Sequence, residues 1–198
     1  MKKNFGIIGN PIKHSLSPIL HNYWSEKYKI NANYSIIETE EKDLGDIVEK
    51  LKNKTLDGIN VTLPFKQKII HYLDKIVNDA EHTGSVNTLF LNEEGLVIGE
   101  NTDVFGLQAA YLKEIDNATN KKSLVIGAGG VSPSVILSLQ KSGVKNISII
   151  NRSKEKCLFL KKYFTFLNIL NWEDLKTELG KHDIIVNATS LGLKNGDD

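Results

Sequence analysis

The chain has 198 residues, 40% of them hydrophobic, a length that exceeds one typical domain and is enough for two small ones. Lys and Arg number 25 against 24 Asp and Glu, which gives a formal charge of +1. This balance excludes the basic surface expected of a nucleic-acid-binding protein and favours a small molecule as the partner.

The single cysteine, Cys157, excludes an internal disulfide and is typical of a reducing, cytoplasmic setting. Strand-like sequence follows directly after Lys3, so no signal peptide is expected, and no apolar run has the length of a membrane span. The five histidines lack the paired spacing with carboxylates that a metal site needs. We therefore expect a soluble cytoplasmic protein without a bound metal.

The first half of the chain alternates between strand-like and helix-like patterns. Apolar alternation and β-branched residues predict strands near 4–9, 33–38 and 56–62, helices near 18–28, 42–52 and 65–73, and a hairpin that pairs 86–92 with 96–99. This order predicts an α/β domain with a mostly parallel sheet over residues 1–102.

The second half repeats the alternation after a connecting helix. The pattern predicts helices near 103–115, 130–141, 153–164 and 172–179, and strands near 123–127, 146–150 and 183–187. Residues 103–198 are therefore expected to form a second α/β domain, of the Rossmann type.

Residues 58–66 carry a concentrated chemical pattern. Alternating apolar residues place Asn60 and Thr62 on the opposite face of a strand, and Pro64 favours a first helical turn that contains Lys66. A helix N-terminus disfavours a cation, so a lysine chosen only for helix stability is unexpected there. The pattern predicts a polar pocket at this junction, with a solvated lysine as the alternative.

Polar residues also stand at several loop positions. Ser17 precedes a proline and is typical of a helix N-cap, whereas Ser15 has no such structural role. Asn87 and Asp103 are candidate binding residues with structural alternatives: the amide can bond its own turn and the carboxylate can cap its helix.

A glycine-rich turn follows the strand near 123–127 and precedes a helix. Glycines let the backbone approach a pyrophosphate closely, and the positive end of the next helix attracts its charge. Ser132 occupies the place of the third glycine of the usual motif, and a purely structural turn is the alternative. The expected nucleotide-binding residues here are Gly127, Ala128, Gly129, Gly130 and Val131.

The next strand ends at Asn151 and is followed by Arg152, where many NAD-specific domains carry an acidic residue. Arg152 can pair with a 2′-phosphate, and Ser153 and Lys156 can add donors. One charge-assisted bond would give roughly a ten- to hundredfold preference for NADP. An arginine that is merely solvated at a strand end is the alternative.

The strand near 183–187 ends at the sheet edge where Rossmann-type domains bind their ligand. The residues expected to border the cofactor there include Ala188, Thr189 and Ser190.

Taken together, these segments resemble shikimate dehydrogenase, the NADP-dependent enzyme family that reduces 3-dehydroshikimate to shikimate in aromatic amino-acid biosynthesis. The matching segments are residues 15–18 with His21 and Asn22, 60–66, 86–88, 101–103, 127–130, 151–153 and 187–189. The resemblance implies that Lys66 and Asp103 are the catalytic pair. It implies that the substrate is bound by Ser15, Ser17, Asn60, Thr62, Lys66, Asn87 and Asp103.

The family pattern continues past residues 195–198, where this chain stops, and the missing part would supply more of the nicotinamide pocket and a helix that returns to the first domain. We therefore expect an incomplete cofactor domain with an unpaired strand edge, a feature that favours instability, association or loss of activity in the isolated chain. A quinate/shikimate dehydrogenase with relaxed specificity and a non-catalytic truncated binding module remain alternatives. A homodimer is the candidate assembly.

Overall fold

The computed structural model describes residues 2–191 of the chain. The chain divides into two compact units, Met1–Thr102 and Asp103–Asp198. Every helix within residues 2–191 is too short or too polar to cross a lipid bilayer. Residues 195–198, on which the expectation of a truncated end rests, lie outside the described part of the chain.

The first unit is built on a six-stranded sheet. Its strands are β1 (Lys3–Gly9), β2 (Ala32–Glu38), β3 (Gly58–Val61), β4 (Lys75–Ile76), β5 (Thr88–Leu91) and β6 (Val97–Glu100). Its helices are α1 (Ser17–Lys27), α2 (Leu44–Lys52) and α3 (Asp79–Thr83), with 3₁₀ helices over Glu41–Asp43 and Lys68–Tyr72. The strand order is β2-β1-β3-β5-β6-β4.

Strand direction decides which loops of this sheet meet. β1 pairs in parallel with both β2 and β3, and β5 runs antiparallel to both β3 and β6. The carboxyl ends of β1 and β3 therefore lie side by side, and the start of β5 lies beside the end of β3. Three loops consequently meet at one edge of the sheet.

Helix α2 packs on one face of this sheet. Its buried residues recur three and four positions apart, as on one face of a helix, and join the core that contains Ile59 and Val61 of β3. Asn60 lies between them in the strand and points to the opposite face, as the alternation in the sequence predicted.

The first helical turn predicted after Pro64 is wrong, and the helix predicted near 65–73 is reduced to the 3₁₀ helix Lys68–Tyr72. The Phe65 N–H donates to the Thr62 carbonyl at 3.0 Å, so Pro64, whose peptide bond with Leu63 is cis, is the third residue of a four-residue turn. Phe65 is only 2% exposed and is anchored in the core. This tertiary contact, which local propensity does not report, leaves Lys66 in a turn and only a 3₁₀ helix after it.

The second unit contains a four-stranded, wholly parallel sheet. Its strands are β7 (Lys122–Ile126), β8 (Asn146–Ile150), β9 (Asn168–Ile169) and β10 (Ile184–Asn187), and its helices are α4 (Asp103–Ala110), α5 (Ser132–Lys141), α6 (Lys154–Lys161) and α7 (Leu175–Glu178). The strand order is β10-β7-β8-β9, so β10 is an edge strand within the described residues. This confirms the predicted α/β class, with β9 as a short strand that the sequence did not indicate.

The buried side of α5 explains how this unit is held together. Every residue from Ser132 to Leu139 is buried. The valine, isoleucine and leucines among them join a core that includes Val125 of β7 and Ile149 of β8. The Ser138 hydroxyl lies 3.0 Å from the Val104 carbonyl of α4, which ties α4 to α5. The predicted helices over 103–115 and 172–179 are shorter than expected, because 3₁₀ turns replace their ends.

Candidate functional site

The loop after β1 carries the two candidate serines. The Ser15 hydroxyl oxygen accepts the Ser17 N–H at 3.3 Å, and Leu16 is the N-cap residue of α1. Ser17 is therefore the first residue of the helix, and its interpretation as the N-cap is wrong. The local structural role belongs to Ser15, whose hydroxyl oxygen accepts the N–H of the first helical residue.

The close approach of β1 and β3 brings Thr62 to this loop. The Thr62 N–H donates to the Ile8 carbonyl at 2.9 Å. A Cβ atom on Gly9 would lie 2.6 Å from the Thr62 methyl carbon and 3.0 Å from the Leu63 carbonyl oxygen. Only glycine at position 9 allows the two strand ends to pack this closely.

Asn60 is the centre of a hydrogen-bond network on the face of the sheet opposite to α2. Its Oδ1 accepts the Tyr34 hydroxyl at 2.7 Å, and its Nδ2 donates to the Asn87 carbonyl at 3.1 Å and to Thr88 Oγ1 at 3.2 Å. Asn60 thus connects β2, β3 and the segment that leads into β5.

The Asn87 side chain bonds a distant segment as well as its own neighbour in the chain. Its Oδ1 accepts the N–H and the hydroxyl of Thr102 at 3.0 and 3.1 Å, and also the Thr88 hydroxyl at 3.0 Å. The Lys66 carbonyl accepts the neighbouring Val86 N–H at 2.8 Å. Asn87 therefore holds Thr102 in place, and its neighbour Val86 is bonded to Lys66. Asp103 follows Thr102 as the first residue of the second unit.

We call the first-unit candidates Ser15, Ser17, Asn60, Thr62, Lys66 and Asn87 the polar cluster. They lie at the neighbouring ends of β1 and β3 and the start of β5, where the Asn10 N–H donates to the Leu63 carbonyl at 3.0 Å and Asn60 donates to the Asn87 carbonyl at 3.1 Å. A cavity of about 440 Å³ borders this cluster through Asn60, and is otherwise lined mainly by apolar residues such as Phe5, Trp24 and Phe90.

Two ionisable groups beside the cluster have perturbed pKa values. Burial raises the pKa of Tyr34 to about 12, against a smaller opposing effect of a hydrogen bond with the Ser17 side chain. Burial also lowers the pKa of His21, whose ring stacks on that of Tyr34 with centroids 4.2 Å apart. Both side chains are therefore uncharged at neutral pH, which suits a site that recognises hydroxyl groups.

The glycine-rich turn lies between β7 and α5. Gly127 has a φ of +109°, and a Cβ atom there would lie 2.9 Å from the carbonyl carbon and oxygen of Ala188. A Cβ on Gly129 would meet only the Ala188 oxygen, at 3.9 Å. The first glycine is required by packing, whereas the second leaves open space over the N-terminus of a ten-residue helix. This arrangement fits a pyrophosphate.

The other predicted cofactor residues lie at the ends of the strands that flank β7. Asn151 donates to the Ser153 carbonyl at 2.9 Å, and Arg152 is exposed at the end of β8. Ser153 donates to Glu155 Oε2 at 3.1 Å, and Lys156 is exposed on α6. Arg152 is the one arginine among the 25 Lys and Arg of the chain, a signal that the sequence patterns above did not use.

The end of β10 forms a compact turn beside the glycines. The Asn187 Oδ1 accepts the Thr189 N–H at 3.0 Å and its hydroxyl at 2.7 Å, while Ala188 is buried and Ser190 is exposed. Because β10, β7 and β8 are parallel neighbours, their carboxyl ends meet at one edge, as a Rossmann-type site requires.

Tyr34 and Thr102 are the residues of this region that sequence reasoning missed. A tyrosine within an apolar strand is typical of a core position, but a buried hydroxyl needs a partner, and this need was the available signal. Thr102 belongs to the segment 101–103 that was singled out, without a role of its own.

Comparisons with known proteins agree on one family. A family model described as the shikimate dehydrogenase substrate binding domain matches residues 7–89, and one described as shikimate / quinate 5-dehydrogenase matches residues 110–193. The curated shikimate dehydrogenase (NADP(+)) of Pelagibacter ubique is 43% identical over 198 residues, which cover 100% of this chain and 73% of the relative. That of Pyrococcus furiosus is 39% identical over 191 residues, covering 96% of this chain and 68% of the relative.

Solved structures give the same result. Shikimate dehydrogenase from Aquifex aeolicus is similar with a TM-score of 0.91 and 38% identity, over 100% of this chain and 72% of that one. The Thermus thermophilus enzyme, solved in complex with NADP(H) and shikimate, is similar with a TM-score of 0.84 and 30% identity, over 96% and 70% of the two chains. The Listeria monocytogenes enzyme, solved with shikimate and NAD, has a TM-score of 0.85 and 32% identity, over 98% and 70%.

Proposed function

The chain belongs to the shikimate dehydrogenase family, and on that premise we propose that it catalyses the NADP-dependent interconversion of 3-dehydroshikimate and shikimate. The predicted family, the oxidoreductase class acting on CH–OH and the NADP cofactor are confirmed by the curated relatives. The reaction is a step of aromatic amino-acid biosynthesis. A relaxed quinate/shikimate enzyme or a non-catalytic module is not favoured, because these relatives are named for shikimate and NADP(+).

The residues of the second unit fit the cofactor. The glycine turn from Gly127 to Val131 and the N-terminus of α5 receive the pyrophosphate, and Arg152 pairs with the 2′-phosphate, with Ser153 and Lys156 beside it. Ala188, Thr189 and Ser190, with Asn151, complete the cofactor edge at the ends of β10 and β8. The exposure of Arg152 at the end of β8 supports this role.

The polar cluster of the first unit binds the substrate. Hydroxyl donors from Ser15 and Ser17 suit the carboxylate, and the amides of Asn60 and Asn87 suit the ring hydroxyls. Thr62 adds a further hydroxyl. The observation that carries this proposal is that backbone and side-chain hydrogen bonds bring these segments together. The Asn10 N–H of the loop after β1 donates to the Leu63 carbonyl at 3.0 Å, and Asn60 of β3 donates to the Asn87 carbonyl at 3.1 Å.

The reaction needs a proton donor at the oxygen of the C3 ketone. Bound NADPH supplies the hydride for that carbon. Lys66 stabilises the negative charge that develops on the oxygen and delivers the proton, and Asp103 orients the lysine and the substrate hydroxyl. Asn87 positions this machinery indirectly, because its side chain fixes the Thr102 backbone immediately before Asp103.

A homodimer in the cytoplasm is part of the proposal. The single, buried Cys157 supports a reducing compartment, because a chain with one cysteine cannot form an internal disulfide. Light scattering of the purified chain tests the assembly, and a mass of one chain would contradict the dimer.

The test of the activity follows NADPH absorbance while the chain is mixed with shikimate and NADP. Turnover with shikimate but not with quinate supports the assignment, and comparable turnover with both would favour the relaxed enzyme. Calorimetric titration with shikimate separates the enzyme from a binding module: binding without turnover would contradict the proposed catalysis.

A further inference from the structure

The Tyr34 hydroxyl is placed to control how Asn60 meets a ligand. Tyr34 lies in β2, is only 6% exposed, and donates to Asn60 Oδ1 at 2.7 Å. Resting on the proposed function, we propose that Tyr34 is a positioning residue that fixes the orientation of the Asn60 amide. In this orientation Asn60 Oδ1 accepts a hydrogen bond from a substrate hydroxyl.

The bonds of Asn60 account for three of its four hydrogen-bonding positions. A side-chain amide has two N–H donors and two acceptor lone pairs on its oxygen. Both donors are directed at protein acceptors, the Asn87 carbonyl and Thr88 Oγ1, and one lone pair accepts the Tyr34 hydroxyl. The position left for a ligand is the second lone pair of Oδ1, which requires a donor such as a ring hydroxyl.

The opposite orientation of the amide is disfavoured by the same neighbours. After a flip, Oδ1 would face the carbonyl oxygen of Asn87, and Nδ2 would face the Tyr34 hydroxyl. The first contact would set two acceptors against each other. The Tyr34 hydroxyl adds to this preference only when it acts as a donor. Since burial raises the pKa of Tyr34 to about 12, its proton stays in place at neutral pH.

Tyr34 is itself held on several sides. The Asn22 side chain bonds both its backbone N–H and its carbonyl, at 2.9 and 2.8 Å, and the His21 ring stacks on its ring with an interplanar angle of 4°. A hydroxyl restrained in this way keeps the Asn60 amide in place before the substrate arrives.

The experiment removes one oxygen. Tyr34→Phe retains the stacked ring, and we expect it to raise the KM for shikimate about three- to tenfold, the effect of one hydrogen bond, with kcat and the KM for NADP nearly unchanged. Tyr28→Phe, at an exposed tyrosine of the same unit, is the matched control and leaves all three constants unchanged.

A double-mutant cycle separates positioning from simple stabilisation. If Tyr34 acts through Asn60, Tyr34→Phe has no further effect on KM in an Asn60→Ala background. An equal loss in both backgrounds, or no loss in the single variant while Asn60→Ala is impaired, would overturn the proposal and leave the proposed function intact.

A second readout works without turnover. In nitrogen-15 NMR spectra, the Asn60 side-chain amide protons are assigned by their absence in Asn60→Ala, and we expect Tyr34→Phe to speed their exchange with solvent about tenfold as the amide gains freedom. An unchanged exchange rate would overturn the positioning role. Absence of turnover in the unmodified chain would instead count against the proposed function alone.

Discussion

The Ser132 hydroxyl donates to the Gly127 carbonyl at 3.0 Å across the turn between β7 and α5. Ser132 stands where the usual dinucleotide motif has its third glycine, and it is fully buried. The serine therefore does not weaken the turn: its side chain reaches back and satisfies the carbonyl of the first glycine. The departure from the usual sequence is compensated by a bond that the sequence alone does not reveal.

Ser132→Ala tests this compensation. We expect the variant to lose about 0.5–1.5 kcal/mol of unfolding free energy and to raise the KM for NADP, because the turn loses a buried hydrogen bond. Chemical denaturation and steady-state kinetics measure the two effects. Ser142→Ala, at the other end of α5, is the control and should leave the KM for NADP unchanged. Wild-type values in Ser132→Ala would show that the bond is dispensable.

Lys66→Ala should lower kcat by about 10²–10⁴-fold, because the variant lacks the group that accepts the C3 hydroxyl proton in oxidation and returns it to the ketone oxygen in reduction. Initial rates at saturating shikimate and NADP measure the loss. Lys68→Ala is the matched control: this nearby lysine pairs with Glu41 on the surface, where an ion pair contributes little, so its kcat should match the unmodified chain. A loss of less than about tenfold in Lys66→Ala would remove it from the chemical step.

Arg152→Ala should reduce the preference for NADP over NAD by roughly ten- to a hundredfold, since it removes a charge-assisted bond to the 2′-phosphate. The ratio of kcat/KM for the two cofactors measures this change, with kcat/KM for NAD nearly constant. Lys154→Ala, whose Nζ bonds Asn171 Oδ1 at 2.9 Å, is the control and should preserve the ratio. An equal fall with both cofactors would assign Arg152 a general rather than a selective role.

The sequence predicted the features that depend on local periodicity. The alternation around Asn60, the parallel strands and the glycine turn before α5 follow from spacing and residue type. It was wrong about Pro64 and Ser17, because both were interpreted from short-range helix signals. Phe65 is buried in the core beside a turn of the chain. Leu16 occupies the N-cap position of α1, and the Ser15 hydroxyl accepts the first helical N–H.

The remaining site features arise from contacts between distant segments. Tyr34 and Asn60 are 26 positions apart, and Asn87 and Thr102 are 15 apart. The predicted hairpin of β5 and β6 brings Asn87 near Thr102, whereas no local pattern pairs Tyr34 with Asn60. β2 and β3 both pair in parallel with β1, so the contact between Tyr34 and Asn60 depends on the register of two strand pairings.

His21 should make the stability of the first unit depend on pH. Burial lowers its pKa below the ordinary 6.5, so between that lowered value and 6.5 the unfolded chain binds a proton that the folded chain does not. The free energy of unfolding should therefore fall as the pH drops below about 6.5, and the contribution of His21 to it should keep its full value above that pH. An NMR titration of the His21 ring should give a pKa below 6.5.

His21→Gln isolates this contribution, because the variant has no group at position 21 that titrates in this range. Urea unfolding gives the difference in unfolding free energy between the unmodified chain and the variant. This difference should become smaller as the pH falls from 7.5 towards 5.5, while the part that comes from the lost stacking on Tyr34 stays constant. His71→Gln, at an exposed histidine of the same unit, is the control. Parallel pH profiles for His21→Gln and the unmodified chain would contradict the burial effect, because a histidine with an unperturbed pKa contributes no slope.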